Sequence, residues 1–238
     1  MKTICLGFSH HTAPLQLREQ LYYPPAALQT ALARFGCGHD AQSPGVAELA
    51  ILSTCNRVEL YAAAEEGTGQ RAQFDALLNF ICETRHMRRS AISGHAYRYG
   101  AREALQHLCR VAAGLDSPVL GEPQILGQVA AAHAVARGQG VAGPVLAAFF
   151  RTAIRAGKRA RAETAISRNP ASVGSLAAQR AAQVVEDLAE ASVLVVGAGE
   201  MGMRAAEALR SHGVRRIGVA NRTQRRAAEL AQRWAGRA

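Results

Sequence analysis

Along the first hundred residues the apolar positions either alternate with polar ones or fill short runs, at 3–8, 47–53, 58–63 and 95–99. That is the period-two pattern of strands. Between these runs the spacing changes to three and four. Pro24 and Pro25 open an amphipathic stretch that continues to Phe35, as proline favours a first helical turn. Over 70–84, Phe74, Leu77, Leu78 and Ile81 fall on one helical face. The predicted order is β-α-β-β-α-β, the split βαβ arrangement of a ferredoxin-like, α+β domain.

From Arg102 to Ala165 the pattern is helical, interrupted only at 114–118, 121–123 and 138–144, where Gly and Pro cluster. Ser167-Arg168-Asn169-Pro170 then reads as a boundary, because the residue before a proline leaves the helical region. A helix is expected over 172–188, followed by Ser192-Val193-Leu194-Val195-Val196, which reads as a buried parallel strand. It runs straight into Gly197-Ala198-Gly199-Glu200-Met201-Gly202, with a further helix over 203–211 and a second strand over 217–220. Gly-x-Gly-x-x-Gly between a strand and a helix is a dinucleotide-binding signal. The first glycine permits the turn, the second lets backbone approach a pyrophosphate, and the third allows close packing. Where an NAD site offers a carboxylate to the ribose, this chain reads Asn221-Arg222-Thr223-Gln224-Arg225-Arg226. Three arginines and no carboxylate favour the 2′-phosphate of NADP(H).

With 49% hydrophobic and 19% charged residues over 238 positions, the composition is globular and excludes wholesale disorder. The longest uncharged apolar stretch, 140–150, is too short to span a bilayer, and the start lacks a signal-peptide core, so a soluble, cytoplasmic protein is expected. The net charge of +10 is unevenly placed: residues 1–150 hold 12 Lys and Arg against 11 Asp and Glu, and residues 151–238 hold 16 against 7. All but Lys2 and Lys158 of these cations are arginine. A coding bias toward arginine and a polyanionic partner both account for this. Cys5, Cys37, Cys55, Cys82 and Cys109 are widely spaced, with no metal-ligand or disulfide pattern, so no metal is expected. Cys5, Cys82 and Cys109 lie in apolar runs, and Cys37 lies in a Gly-Cys-Gly turn. Cys55 differs. Thr54-Cys55-Asn56-Arg57 follows a buried strand directly, and a guanidinium two residues away suits a thiolate, while spacing alone also fits a small buried residue at a strand end. A thiol that captures an acyl group as a thioester, joined to a nicotinamide cofactor, points to acyl reduction.

The blocks Gly7-Phe8-Ser9-His10-His11-Thr12-Ala13-Pro14, 52–61 around Cys55, and Gly114-Leu115-Asp116-Ser117-Pro118 through Gln128 resemble the signature segments of the glutamyl-tRNA reductase family. Lys158 to Thr164, the 197–202 turn and Ala220-Asn221-Arg222-Thr223 extend the resemblance over essentially the whole chain. The resemblance implies reduction of glutamyl-tRNA(Glu) to glutamate-1-semialdehyde by NADPH, the entry to tetrapyrroles. It makes Cys55 the nucleophile and His107 a general acid/base. Substrate contacts fall to Thr54, Asn56, Arg57, Ser117, Glu122, Pro123, Gln124 and Gln128. Gly197, Ala198, Gly199, Glu200, Met201, Gly202, Asn221, Arg222 and Thr223 fall to the cofactor.

On the residues alone, His107 sits beside the apolar face of Ala104, Leu105, Leu108 and Val111, and reads as a half-buried core histidine. His10 and His11, as neighbours at a strand end, are expected to point in opposite directions. Arg151, Arg155, Lys158, Arg159 and Arg161 recur at helical spacing, and under the resemblance they become a tRNA-facing stripe. Further partners implied are glutamate-1-semialdehyde aminotransferase and a second copy of the chain.

The expected fold is α/β: an α+β ferredoxin-like catalytic, glutamyl-tRNA-binding domain with added helices over 1–164, then a partial Rossmann-type NADP-binding domain over 165–238. The 238 residues resemble the N-terminal half of the enzyme, so the cofactor domain is expected to be incomplete and the dimerisation region missing. A reductase and a truncated non-catalytic remnant that binds tRNA or regulates are both open at this point. A generic NADP-dependent aldehyde or quinate-type dehydrogenase leaves the 54–57 and 116–128 blocks unexplained.

Overall fold

The structure is a computed structural model, and it describes residues 1–37, 45–65, 67, 69–167 and 173–233. The boundary signal at Arg168-Asn169-Pro170 lies outside the described residues, as does the side chain of Cys37, whose backbone ends a helix instead of forming a turn. The chain divides into two compact units, Met1–Ser167 and Arg168–Ala238.

The first unit contains, in order, β1 (Lys2–Ser9), α1 (Leu15–Leu21), α2 (Pro25–Cys37), β2 (Val46–Ser53), β3 (Arg57–Ala64), α3 (Gln70–Arg85), α4 (Arg89–Ile92), β4 (Tyr97–Gly100), α5 (Ala101–Ala113), α6 (Gln124–Gly138) and α7 (Pro144–Glu163). Its sheet has the order β2-β3-β1-β4, with every neighbouring pair antiparallel. This is the order that the split βαβ pattern implies. α1 and α4 were not legible as helices, and β4 starts at Tyr97 because Ser93–His95 form a 3-10 turn.

All eight residues of β3 are buried, so both faces of the sheet are covered. One face meets the long C-terminal helices: the Tyr61 ring lies 5.9 and 5.5 Å from those of Phe149 and Phe150 on α7. α7 begins at Gly143-Pro144, with its first amides capped from outside the helix. The carboxylate of Glu48, buried on β2, accepts from the Val145 and Leu146 amides at 3.1 and 2.7 Å, satisfying donors that a helix start leaves unpaired.

The second unit contains α8 (Val173–Val184), β5 (Ser192–Val196), α9 (Glu200–Ser211), β6 (Arg216–Ala220) and α10 (Gln224–Gln232). β5 and β6 are parallel, with Val193 opposite Ile217 and Val195 opposite Val219. That face packs on Ala178, Ala206 and Leu209 at one end and on Ala227, Leu230 and Ala231 at the other. The expectation of a buried strand is corrected here: Leu194 and Val196, on the opposite face, are 65% and 81% exposed. A parallel strand is buried on both sides only where helices cover both, and among the described residues the helices gather on one.

Candidate active site

β2 and β3 are joined by the three residues Thr54, Cys55 and Asn56. Ser53 pairs with Val58, and the Thr54 amide donates to the Arg57 carbonyl at 2.8 Å, which leaves Cys55 and Asn56 at the tip. The Thr54 hydroxyl oxygen accepts from the Asn56 and Arg57 amides at 3.2 and 3.1 Å, a local side-chain turn of the kind Ser and Thr favour. Cys55 is exposed. Outside the hairpin, the His10 amide donates to the Asn56 carbonyl at 2.9 Å. Arg18 on α1 donates through Nη1 to the Cys55 carbonyl at 2.8 Å and to Asn56 Oδ1 at 3.2 Å.

Alternation along β3 puts Arg57, Glu59 and Tyr61 on one face, where they form a buried polar network. Glu59 is fully buried and receives Arg57 Nη1 at 2.7 Å, His107 Nε2 at 2.7 Å, the Tyr61 hydroxyl at 2.5 Å and the Tyr97 hydroxyl. Burial alone would raise the Glu59 carboxyl; the Arg57 charge and the hydrogen bonds from His107 and Tyr61 outweigh it and hold it well below the usual carboxylate range. Burial, then the Glu59 charge, pushes the phenols of Tyr61 and Tyr97 upward, so both remain protonated donors.

An ionised carboxylate only accepts, so His107 Nε2 carries a hydrogen. The ring lies between Tyr97 and Tyr99, with centroids 5.4 and 4.8 Å away. At 8% exposure His107 is more buried than a half-buried core residue, because β4 covers it with two tyrosines.

Arg57 also fixes the loop after α5. Its Nη2 donates to Asp116 Oδ2 at 2.9 Å and to the Asp116 carbonyl. Gly114 ends α5 with φ +77, and its carbonyl accepts the Gly121 amide at 2.9 Å, so the loop carrying Asp116 and Ser117 closes on itself. A side chain at Gly114 would be strained at that φ and would also meet the Gly121 backbone at 3.0 Å. Ser117, Glu122, Gln124 and Gln128 are half-buried and Pro123 is exposed along this loop and the start of α6. Arg161 on α7 holds the far end through the Gly121 and Glu122 carbonyls at 3.2 and 2.6 Å.

Several expectations change. Thr54 is buried with its hydroxyl committed to the turn, and the Arg57 side chain is 1% exposed with its donors committed to Glu59 and Asp116. Neither presents its side chain to a substrate, since each is needed to hold backbone in place, and the guanidinium at the Cys55 turn is that of Arg18. His10 and His11 follow the end of β1 in a turn, so strand alternation does not separate them; their rings lie 3.9 Å apart. Arg18, Glu59, Tyr97 and Asp116 were missed as site residues. The signal for Glu59 was present in charged and phenolic residues at period two, 57, 59 and 61, in an otherwise apolar strand.

In the second unit, Gly197 adopts φ +108 and Gly199 caps α9 without a side-chain cap. A Cβ on Gly202 would run into the Gly197 carbonyl oxygen, whereas one on Gly199 would meet nothing within 4 Å. The turn therefore leaves open space in front of uncapped helix amides, which fits a phosphate. Asn221 Oδ1 accepts the Ala198 amide at 3.2 Å and ties the turn to the end of β6. Arg222 and Thr223 are exposed, and Ala198, Arg226 and Arg233 line a cavity of about 410 Å³. Arg225 is paired with Glu229 at 3.5 Å. The side chain of Glu200 lies outside the described residues, and Met201 is exposed on the first turn of α9.

Residues 6–164 match the family model of the glutamyl-tRNAGlu reductase N-terminal domain. The chain belongs to the glutamyl-tRNA reductase family. It is similar to the glutamyl-tRNA reductases of Pseudomonas putida, 40% identical over 238 residues, and Rubrobacter xylanophilus, 42% identical over 232 residues. These alignments cover 100% and 98% of this chain but 54% and 52% of the relatives, so the chain spans about half the length of the curated relatives it matches. The solved glutamyl-tRNA reductase of Methanopyrus kandleri superposes with a TM-score of 0.62 at 35% identity, covering 99% of this chain and 53% of that one. Residues 179–238 match the shikimate / quinate 5-dehydrogenase model. The quinate-type reading of the sequence thus has a counterpart in the second unit, while the first unit belongs to the glutamyl-tRNA reductases.

The match to the N-terminal domain model ends just after α7, the helix of the basic stripe. Arg151, Arg155, Lys158 and Arg159 are exposed on it, with Arg159 paired to Glu163 at 3.0 Å. Arg161 is corrected out of the stripe, because its guanidinium turns inward to the loop carbonyls. No helix among the described residues is long and apolar enough to cross a membrane.

Proposed function

We propose that the first unit is the catalytic, glutamyl-tRNA-binding domain of an NADPH-dependent glutamyl-tRNA reductase, and that the second is the N-terminal part of its NADP-binding domain. In this reading Cys55 attacks the carbonyl carbon of the glutamyl ester. The C–S bond forms, the ester C–O bond breaks, and the ribose hydroxyl of the tRNA leaves with a proton. His107 is suited to move protons, since Glu59 fixes its tautomer and orientation. Asn56 from the turn and Ser117, Glu122, Pro123, Gln124 and Gln128 from the loop and α6 recognise the glutamyl group, with Glu122 opposite its ammonium. Thr54 and Arg57 act through backbone, one shaping the Cys55 turn and the other tying the Asp116 loop to it.

Residues 197–202 and 221–223 would hold NADPH, which would supply the hydride for converting an acyl group to an aldehyde. The product would be glutamate-1-semialdehyde, the tetrapyrrole precursor on which an aminotransferase acts. The stripe on α7 positions the tRNA through its phosphates.

The observation that carries this reading is the exposed Cys55 at the tip of a rigid hairpin turn, beside a loop anchored by a buried arginine. Incubation with NADPH and glutamyl-tRNA(Glu) tests it, with both semialdehyde and a Cys55-linked acyl adduct measured. Adduct with semialdehyde supports the full reading. Adduct alone supports a substrate-binding module whose cofactor unit does not function. Neither product contradicts both.

A further inference from the structure

Within the hairpin the Thr54 hydroxyl holds the tip of the Cys55 turn through the Asn56 and Arg57 amides, and the Cys55 carbonyl is met from outside the hairpin ladder. Arg18 reaches that carbonyl from α1, 37 residues earlier in the chain. Its Nη1 bridges the Cys55 carbonyl at 2.8 Å and Asn56 Oδ1 at 3.2 Å, while its Nε donates to the Ala13 carbonyl at 3.2 Å. One planar, permanently charged fork thus staples the β1–α1 loop to the turn, which a single amine cannot do on both sides. A carbonyl oxygen and the Sγ of the same residue are four bonds apart, so the guanidinium lies within about 7 Å of the sulfur whatever its rotamer.

We propose that Arg18 is the positioning residue of the Cys55 turn: it fixes the Cys55 peptide and sets a permanent positive charge beside the thiol. This is the part that sequence spacing assigned to Arg57, whose charge is spent on Glu59 and Asp116. The proposal rests on Cys55 as the nucleophile and deepens that reading.

A unit charge at this distance, at the dielectric of a protein surface, raises thiol attack rates by roughly three- to tenfold. The test compares the wild-type chain with R18Q and R18K by iodoacetamide alkylation of the Cys55 peptide, followed by mass spectrometry at one pH. His10, His11 and Asp116, the other titratable groups that the loops bring toward the turn, are unchanged in these variants. R18Q is expected to alkylate about three- to tenfold more slowly, and R18K, which keeps the charge, to recover most of the rate. An R18Q rate equal to wild type overturns the proposal. So does an R18K loss as deep as that of R18Q accompanied by an equal fall in melting temperature, the mark of a merely structural contact.

Should R18Q fail to fold, the wild type supplies a second measurement. Raising the salt from low to molar concentration screens the partly exposed charge and slows Cys55 alkylation, and a salt-independent rate contradicts the proposal. Transfer from glutamyl-tRNA separates the two layers. Slower adduct formation in R18Q at unchanged half-saturating tRNA supports both, and equal adduct rates sink the Arg18 role alone. Slower alkylation in R18Q with no adduct in any variant sinks the substrate reading and leaves Arg18 standing.

Discussion

Glu59→Gln is the substitution whose consequences the structure fixes most tightly. The glutamine keeps the shape and part of the hydrogen bonding but removes the charge that faces a 1% exposed Arg57. Neutralising one partner of a buried ion pair costs about 3–5 kcal/mol. Asp116 still satisfies the Nη2 edge of Arg57, so the lower end, about 3 kcal/mol, applies here. The first unit spans Met1–Ser167, a size at which each kcal/mol moves the melting temperature by about 2–4 °C, so a fall of about 6–12 °C is expected at neutral pH.

The pH dependence carries its own sign. A carboxyl held below its ordinary value of 4.5 contributes stability that is fully present above that value and is lost as pH falls toward the folded one. The glutamine does not titrate. The stability gap between the two proteins should therefore stay constant above about pH 5.5 and narrow by about 2 kcal/mol on going to pH 3. Circular dichroism melts of both proteins across this range measure it. Equal melting temperatures at pH 7, or a gap that does not change down to pH 3, would refute the buried-pair reasoning.

Other expectations follow from single contacts. Glu48→Ala removes the carboxylate that caps α7 and should cost about 1–2 kcal/mol, read as a shift in the chemical denaturation midpoint; no shift would mean that the cap is dispensable. Arg222→Asp should weaken NADPH binding far more than NADH binding in fluorescence titrations, and equal losses would remove Arg222 from 2′-phosphate recognition. Replacing Arg151, Arg155 and Lys158 together with alanine should lower the slope of log affinity for glutamyl-tRNA against log salt by about 0.7–0.9 per lost phosphate contact. An unchanged slope would return these residues to a solvated helix face.

Features carried by local chemistry were legible in the sequence. The helix breaks at 114–118, 121–123 and 138–144 and the glycine turn at 197–202 announce themselves through Gly and Pro, and the four-stranded sheet follows from the order of the periods. What was not legible depends on tertiary direction. The seven residues of α1 are too few for a helical period to stand out, yet they supply Arg18. Arg57 and Arg161 look like surface cations by type, and only the fold shows that one is spent on Glu59 and Asp116 and the other on loop carbonyls. The apolar run of β5 promised burial on two faces, which a strand cannot secure by itself.

In the proposed reaction Cys55 takes the glutamyl group from its tRNA as a thioester. The most direct measurement is the mass of the Cys55 peptide after incubation with glutamyl-tRNA(Glu) and an acid quench, in the wild type and in Cys55→Ser. The wild type should carry one glutamyl group on Cys55, removable by hydroxylamine, and the serine variant should show no thioester and release no semialdehyde when NADPH is present. Semialdehyde produced by Cys55→Ser at the wild-type rate, or a glutamyl group found on another residue, would contradict it.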